Sequence, residues 1–178
     1  MTLSYAMEGR MEKIYYTSFN SPSLKKVFVA STEKGICGVD FRTSEKAFLK
    51  KLKERFPGEM IRNGRKNREA VSQLKKYLNG RLKKFNCSLD PKGTSFEKKV
   101  WSALVKIPYG RTRSYKEVAQ SIGHPKAFRA VGNANGNNSL PLIIPCHRVI
   151  ESNGGLGGFG HGIKVKKRLL DFEKSHAF

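Results

Sequence analysis

A cysteine and a histidine lie side by side in the segment "LPLIIPCHRVI", residues 140–150. Cys146 ends an apolar run that is closed by a proline, and His147 follows it directly. A thiol becomes a strong nucleophile when a base or a positive field lowers its pKa. A carboxylate normally orients the imidazole that serves as the base, and the C-terminal segment offers Asp171 and Glu173. These residue types predict covalent chemistry at Cys146, and the spacing leaves both carboxylates open.

The backbone that carries the pair decides whether the two side chains can meet. The run "LPLII" predicts a short buried strand, and adjacent side chains of a strand point to opposite faces. His147 then reaches Cys146 only if Pro145 turns the chain or a water bridges the two groups. The other two cysteines, Cys37 and Cys87, are expected to be small apolar residues without a chemical role.

The composition is that of a folded and strongly basic chain. Its 178 residues suit one ordinary domain or two small ones, and 38% of them are hydrophobic. Lys and Arg number 35 against 14 Asp and Glu, a formal net charge of +21. An excess of this size favours a polyanionic partner, and nucleic acid ranks ahead of an anionic membrane surface.

Several classes of protein are excluded by what the sequence lacks. Three isolated cysteines without a C-x-x-C pair favour neither a disulfide framework nor a zinc site, so we expect a reducing compartment, no metal and no cofactor. No apolar run has the length of a membrane helix, and the N-terminus has no secretion signal. We therefore expect a cytoplasmic protein, nuclear if the source is eukaryotic, in which residues 1–10 form a peripheral extension because Met11 would also serve as a start.

The first half of the chain predicts a small sheet with helices. The segments "KIYYTSF", "KKVFVAST" and "KGICGVDF" have strand character and are separated by turns, which predicts a three-stranded antiparallel meander. "SEKAFLKKLKERF" and "NREAVSQLKKYLNG" then carry apolar residues at helical spacing. The stretch "NCSLDPKG", residues 86–93, is the predicted boundary between a domain at 1–88 and a second at 89–178.

The second half predicts mostly helices. "TSFEKKVWSALVKIPYG" and "SYKEVAQSIG" each open with a capping box, and Pro125 suits the first turn of the helix "KAFRAVGNANGNN". The last two of these form a helix-turn-helix, which on pattern alone is compatible with DNA binding and with an ordinary helical hairpin. A glycine-dense loop, "ESNGGLGGFGHG", and a closing helix, "IKVKKRLLDFEKS", complete the chain.

These segments together resemble the O6-alkylguanine-DNA alkyltransferases, also called methylated-DNA–protein-cysteine methyltransferases. The likeness is dense from about Leu89 to Glu173, and "PCHRV" in this setting is very specific. Residues 1–88 match only in their layout. The resemblance implies an α+β fold, in which a small ribonuclease-H-like antiparallel sheet with helices precedes a mostly helical domain with a winged-helix-like helix-turn-helix.

The resemblance also implies the chemistry. Cys146 would take the alkyl group from guanine O6 in flipped-out duplex DNA and keep it as a thioether, in a single turnover. His147, Glu173 and a water would deprotonate the thiol, which selects Glu173 over Asp171. Asn138 would brace the turn before the active site. Tyr115 would donate a proton or hydrogen bond to guanine N3.

The implied partner is double-stranded DNA that carries O6-alkylguanine, bound by a monomer through the minor groove and largely without regard to sequence. Arg129 would fill the hole left by the flipped nucleotide. The remaining implied contacts to DNA or to the base come from Ala127, Ala130 and Gly132 on the recognition helix and from Pro141, Val149, Phe159 and Gly160 around the pocket. Small residues on that helix suit a close approach to the minor groove, and base flipping is required because a buried methyl cannot meet a buried thiol.

Three alternative functions compete with this interpretation. A non-catalytic lesion binder of the same fold would lack the cysteine, which is present here. A Cys-His hydrolase would need an oxyanion hole and would not explain the Arg129 helix or the net charge. A basic protein associated with RNA or the ribosome would need no reactive thiol.

Overall fold

A four-stranded sheet forms the N-terminal half of the computed structural model, which describes residues 11–177. The strands are β1 (Lys13–Ser21), β2 (Lys25–Ser31), β3 (Ile36–Phe41) and β4 (Glu59–Arg62), in the order β3-β2-β1-β4. The antiparallel pairs β1–β2 and β2–β3 confirm the predicted meander. β4, which pairs in parallel with β1, was not predicted. The predicted extension at residues 1–10 lies outside the described residues.

Two helices cover opposite faces of this sheet. Helix α1 (Glu45–Arg55) buries Phe48 and Leu52 against the face that carries Phe28. Helix α2 (Arg68–Leu78) packs against the other face, which carries Val27 and Val29. The alternation along β2 therefore supplies two apolar surfaces, as the two-residue period of a strand requires.

The C-terminal half is mostly helical, which confirms the predicted α+β class. It contains α3 (Ser95–Val105), α4 (Tyr115–Ser121), α5 (Phe128–Gly136) and α6 (Ile163–Ser175). A short parallel pair joins β5 (Arg113–Ser114) to β6 (Val149–Ile150). Both predicted capping boxes are present, at the starts of α3 and α4. The core is continuous between the halves, because the cluster that holds the α2 side of the sheet also holds the apolar faces of α3 to α6.

Two local predictions were wrong. "LPLII" is a buried turn instead of a strand: the backbone N–H of Ile144 donates to Leu140 O, and Leu142 has a φ of 76°. The Asn138 side chain holds this turn from both ends, which a strand would not allow. Pro125 lies before α5 instead of in its first turn, because His124 to Ala127 close a separate turn through a 2.9 Å hydrogen bond.

Candidate active site

Cys146 begins a one-turn 3-10 helix, Cys146–Arg148, directly after the buried turn. The amide of Asn138 donates to Ile144 O at 2.8 Å, and its oxygen accepts from Leu140 N at 2.9 Å. The backbone N–H of Arg148 donates to Pro145 O at 3.0 Å, so the chain turns at the proline. Because these residues form a 3-10 turn and not a strand, the side chains of Cys146 and His147 are not forced onto opposite faces, and the two can act together.

Glu173 of α6 is the centre of a fully buried polar cluster. Its Oε1 lies 2.8 Å from His147 Nε2 and accepts a hydrogen bond from the Tyr77 hydroxyl at 2.6 Å. Arg148 donates to both carboxylate oxygens, each at 2.8 Å, and Gly110 N donates to Oε2 at 3.0 Å. The carboxylate is thus held in one orientation against the imidazole. The alternative carboxylate, Asp171, is exposed and pairs with Lys167.

The protonation states in this cluster follow from burial and from its hydrogen bonds. Burial raises the pKa of Glu173, but the hydrogen bonds from His147 and Arg148 and the positive charge of Arg148 outweigh it, so the pKa falls well below its usual value. Burial lowers the pKa of His147, against the pull of Glu173. The imidazole is therefore neutral near pH 7. Its Nδ1 is buried and has no hydrogen-bond partner among residues 11–177.

For Cys146, burial acts against reactivity, because a thiol reacts as its charged thiolate form. The thiol is 4% exposed, and burial raises its pKa, while a hydrogen bond from Asn138 and the charge of Lys166 lower it. Lys166 is fully buried, and its ammonium group donates to the carbonyls of Val149 and Gly158. Burial lowers the pKa of Lys166 to about 8. Within residues 11–177, no carboxylate forms an ion pair with Lys166, and a buried lysine of this kind is rare outside functional sites.

The side chain of Cys146 opens into a cavity of about 840 Å³. Of the predicted pocket residues, Tyr115, Pro141, Phe159 and Gly160 line it, and so do Arg129, Gly132 and Asn138. Val149 does not line it; its backbone carbonyl instead anchors Lys166. Ala127 and Ala130 do not line the cavity: Ala127 is half-buried directly before α5, and Ala130 is exposed on that helix. The cavity is thus built between α4, α5, the buried turn and the glycine-dense loop.

The glycine-dense loop closes one wall of the cavity. Gly157 has a φ of 65°, and a Cβ at this position would lie 3.0 Å from the Tyr115 ring, so a larger residue would strain the loop and displace the ring. His161 ties the loop to the sheet, because its Nε2 lies 2.8 Å from Asp40 Oδ1 and its ring stacks on Phe41.

Sequence reasoning missed three buried members of the site: Tyr77, Arg148 and Lys166. Tyr77 lies 96 positions from Glu173, and no local pattern connects the two. Arg148 was visible within "PCHRV", but nothing in its spacing indicated a bidentate pair with Glu173. A lysine on a lysine-rich helix gives no signal that it is buried.

Two findings bear on the possible partners. Among residues 11–177, no three His, Cys, Asp or Glu side chains are grouped so that they could hold a metal ion. No helix in that same range is long and apolar enough to cross a membrane.

Comparison with known proteins gives concordant matches. Residues 14–91 match the family "6-O-methylguanine DNA methyltransferase, ribonuclease-like domain", and residues 95–175 match "6-O-methylguanine DNA methyltransferase, DNA binding domain". The methylated-DNA–protein-cysteine methyltransferase of Methanosarcina barkeri is 44% identical over 163 residues, which cover 92% of this chain and 99% of that protein. The protein of the same name from Mycobacterium tuberculosis is 55% identical over 108 residues, covering 61% of this chain and 66% of that one.

Solved structures give the same result. The crystal structure of the Mycobacterium tuberculosis O6-methylguanine methyltransferase has a TM-score of 0.78 and 40% identity, over 93% of this chain and 95% of that one. The structure of the Mycobacterium tuberculosis protein in complex with DNA also has a TM-score of 0.78, with 38% identity over 91% and 94% of the two chains.

Proposed function

The chain belongs to the 6-O-methylguanine DNA methyltransferase family, and from that premise we propose that it repairs DNA by moving the alkyl group of O6-alkylguanine onto Cys146. The observation that carries the proposal is the position of Cys146. Its thiol lies in the wall of a cavity of about 840 Å³, beside a buried His–Glu pair, and the exposed Arg129 of α5 lines the same cavity. This arrangement suits a base that leaves the duplex and meets a nucleophile inside the protein.

The proposed relay begins at Glu173, which fixes His147 through Nε2 and leaves Nδ1 as the acceptor. Nδ1 takes the thiol proton of Cys146 through a water. Asn138 and Lys166 favour the thiolate, by a hydrogen bond and by charge respectively. The sulfur then attacks the alkyl carbon, a C–S bond forms as the C–O6 bond breaks, and the bonding electrons leave with guanine.

The leaving guanine needs a proton or hydrogen bond, and we assign this role to Tyr115 at guanine N3. Burial raises the pKa of Tyr115, and negative charge on Cys146 raises it further, so the phenol stays protonated at neutral pH. Pro141 and Phe159 would flank the alkyl group, with the backbone near Gly160 completing the pocket. The thioether product is a poor leaving group, so one chain accepts one alkyl group.

The proposed partner is duplex DNA, approached from the minor groove by a monomer. Arg129 is exposed on α5 and would occupy the place of the flipped nucleotide, and Ala127, Ala130 and Gly132 would allow the helix to approach closely. Most of the affinity would come from phosphate contacts of this highly cationic chain, which makes binding tolerant of sequence. Val149 would act from behind the pocket, by anchoring Lys166.

Two further points complete the proposal. We propose that the chain divides into an α/β domain at residues 1–88 and a DNA-binding, alkyl-accepting domain at 89–178. We also propose a cytoplasmic location, nuclear in a eukaryotic source.

The test is to incubate the protein with duplex DNA that carries a radiolabelled methyl group at guanine O6. Label should move to the protein and stop at one methyl per chain. Cys146→Ala should take up no label, and Cys87→Ala, the matched control at a half-buried cysteine, should take up label as the parent does. Release of the label into solution would indicate a hydrolase, and retention on DNA would indicate a binding protein.

A further inference from the structure

Phe128 exposes an aromatic ring on the face of the protein proposed to meet DNA. It is the first residue of α5 and is 46% exposed. Within residues 11–177, the other large hydrophobic side chains exposed to this degree are Met11, Val105 and Ile163, so Phe128 is the one aromatic residue among them. A single exposed apolar side chain needs no explanation by itself. The surroundings of Phe128, however, indicate a role for its exposed ring.

Phe128 lies at the mouth of the Cys146 cavity. Residues 128, 132, 135 and 136 all line that cavity, and their spacing places them along one side of α5. The neighbouring Arg129 has its guanidinium carbon 6.0 Å from the centre of the Phe128 ring. The ring of Phe128 and the side chain of Arg129 thus lie side by side in the lining of the cavity.

The charges around Phe128 favour nucleic acid over a protein or lipid partner. Lys116 and Arg129 line the same mouth, and Lys126 is exposed just before the helix. Glu151 is the one carboxylate in the lining of the cavity among the described residues. An aromatic ring among cations is the combination that binds the bases and phosphates of a nucleic-acid strand, because every base offers a face for stacking whatever its sequence.

We propose that Phe128 acts as a wedge beside Arg129, and that its ring packs against the base next to the flipped nucleotide in the alkylated strand. This proposal rests on the proposed repair of flipped-out O6-alkylguanine. When the alkylated guanine leaves the duplex, its neighbour loses a stacking partner, and Arg129 can fill only the vacated hole. Phe128 covers the exposed face of the neighbour, and the ring is itself removed from water. Apolar side chains that enter the minor groove and stabilise unstacked steps act in this way.

The first experiment compares Phe128→Ala with the parent protein on two substrates, methylated duplex DNA and free O6-methylguanine base. The variant should react with the duplex roughly 5- to 150-fold more slowly, the range expected for loss of one base–aromatic contact, and with the free base at the parent rate. Phe128→Leu should keep part of the duplex rate, since it retains apolar bulk without an aromatic face. Val105→Ala, which truncates a similarly exposed side chain on α3, is the control and should match the parent on both substrates.

A duplex rate for Phe128→Ala within twofold of the parent would overturn the proposal. Equal losses on both substrates would overturn it as well, because they would make Phe128 a wall of the base pocket. A parent protein that labels from neither substrate would instead refute the repair function.

A second experiment needs no chemistry and therefore tests the wedge whatever the labelling shows. In a Cys146→Ala background, a duplex with 2-aminopurine at the target position reports base flipping by a rise in fluorescence. The rise at saturating protein should be at least fivefold smaller with Phe128→Ala added. An unchanged rise would exclude the wedge.

Discussion

Tyr77 of α2 donates a 2.6 Å hydrogen bond to Glu173 of α6, so a side chain from the N-terminal half helps to fix the carboxylate that orients His147. Both side chains are fully buried. The Tyr77 oxygen also lies 3.4 Å from His147 Nε2. Burial, and then the charge of Glu173, raise the pKa of Tyr77 well above its ordinary value, so this phenol stays protonated and can donate to the carboxylate. The sheet and its helices thus take part in the site.

Tyr77→Phe should therefore weaken both the fold and the relay. A hydrogen bond to a buried charged group contributes about 1.5–3 kcal/mol, and we expect that loss in the free energy of unfolding. Methyl transfer should slow several-fold, since Glu173 loses a constraint but keeps Arg148. Denaturant titration and single-turnover labelling measure the two effects. Tyr109→Phe is the control, because the Tyr109 hydroxyl is buried without a partner among the described residues. If the two variants behave alike, the Tyr77 bond has no special role.

Glu173→Gln tests the relay directly. The neutral amide no longer favours a proton on His147, so thiol deprotonation becomes harder. Transfer to Cys146 should fall by about 10²-fold at neutral pH, as expected for loss of general-base assistance, and the rate–pH profile should move to higher pH. The free base is the substrate of choice, because it removes DNA binding from the measurement. Asp171→Asn, at the exposed carboxylate two residues away, should leave the profile in place. A profile for Glu173→Gln that coincides with the parent would exclude the relay.

Acid should destabilise the protein through the same cluster. The pKa of Glu173 is lowered in the folded state, so its stabilisation is complete above the unfolded value of about 4.3 and is lost as the pH falls below it. The pKa of His147 is also lowered on folding. Below about pH 6.5 the imidazole therefore takes up a proton more readily in the unfolded chain than in the folded one. Both effects reduce the free energy of unfolding as the pH falls.

Denaturant titrations between pH 7 and pH 3 measure this dependence. Glu173→Gln should be less stable by about 3–5 kcal/mol at pH 7, because Arg148 becomes an unpaired buried charge. Its stability should then fall less steeply than that of the parent below about pH 4.5, because the titrating carboxyl is gone. Parallel curves for the two proteins would mean that Glu173 titrates normally.

The parts of this architecture that the sequence predicted are those with local signals. Alternation gave the meander β1 to β3, and capping boxes gave the starts of α3 and α4. β4 has only four residues, two of them charged, and its parallel partner is distant in sequence, so no periodicity marked it. The turn at 140–144 was mistaken for a strand because an apolar run does not encode the side-chain bonds of Asn138 that bend it.

The candidate site divides in the same way. The motif around Cys146, His147 and Arg148 is contiguous, and the resemblance it carries selected Glu173 from two nearby carboxylates. Tyr77 enters through a long-range contact, and Lys166 through the burial of one position on a helix whose other lysines are mostly exposed. Contacts of this kind depend on how α2 and α6 pack, which no local pattern reports.

The buried ammonium group of Lys166 should lower the free energy of unfolding and raise the reactivity of the Cys146 thiol. Folding lowers the pKa of Lys166 from 10.5 to about 8, so between these values the unfolded chain holds more protons than the folded one. The free energy of unfolding contributed by this group therefore rises with pH across that window and is lowest below pH 8, where a cation is buried. Lys166→Met should remove this rise, seen in denaturant titrations from pH 7.5 to 9.5, a range that ends before tyrosines ionise.

The same variant should move the titration of Cys146 to higher pH, because the ammonium charge lowers the pKa of the thiol. Iodoacetamide should then modify Cys146 more slowly at neutral pH. Lys167→Met, at an exposed lysine paired with Asp171, is the matched control and should change neither measurement. If Lys166→Met and Lys167→Met give the same pH dependence and the same thiol reactivity, the buried ammonium group does not act on Cys146.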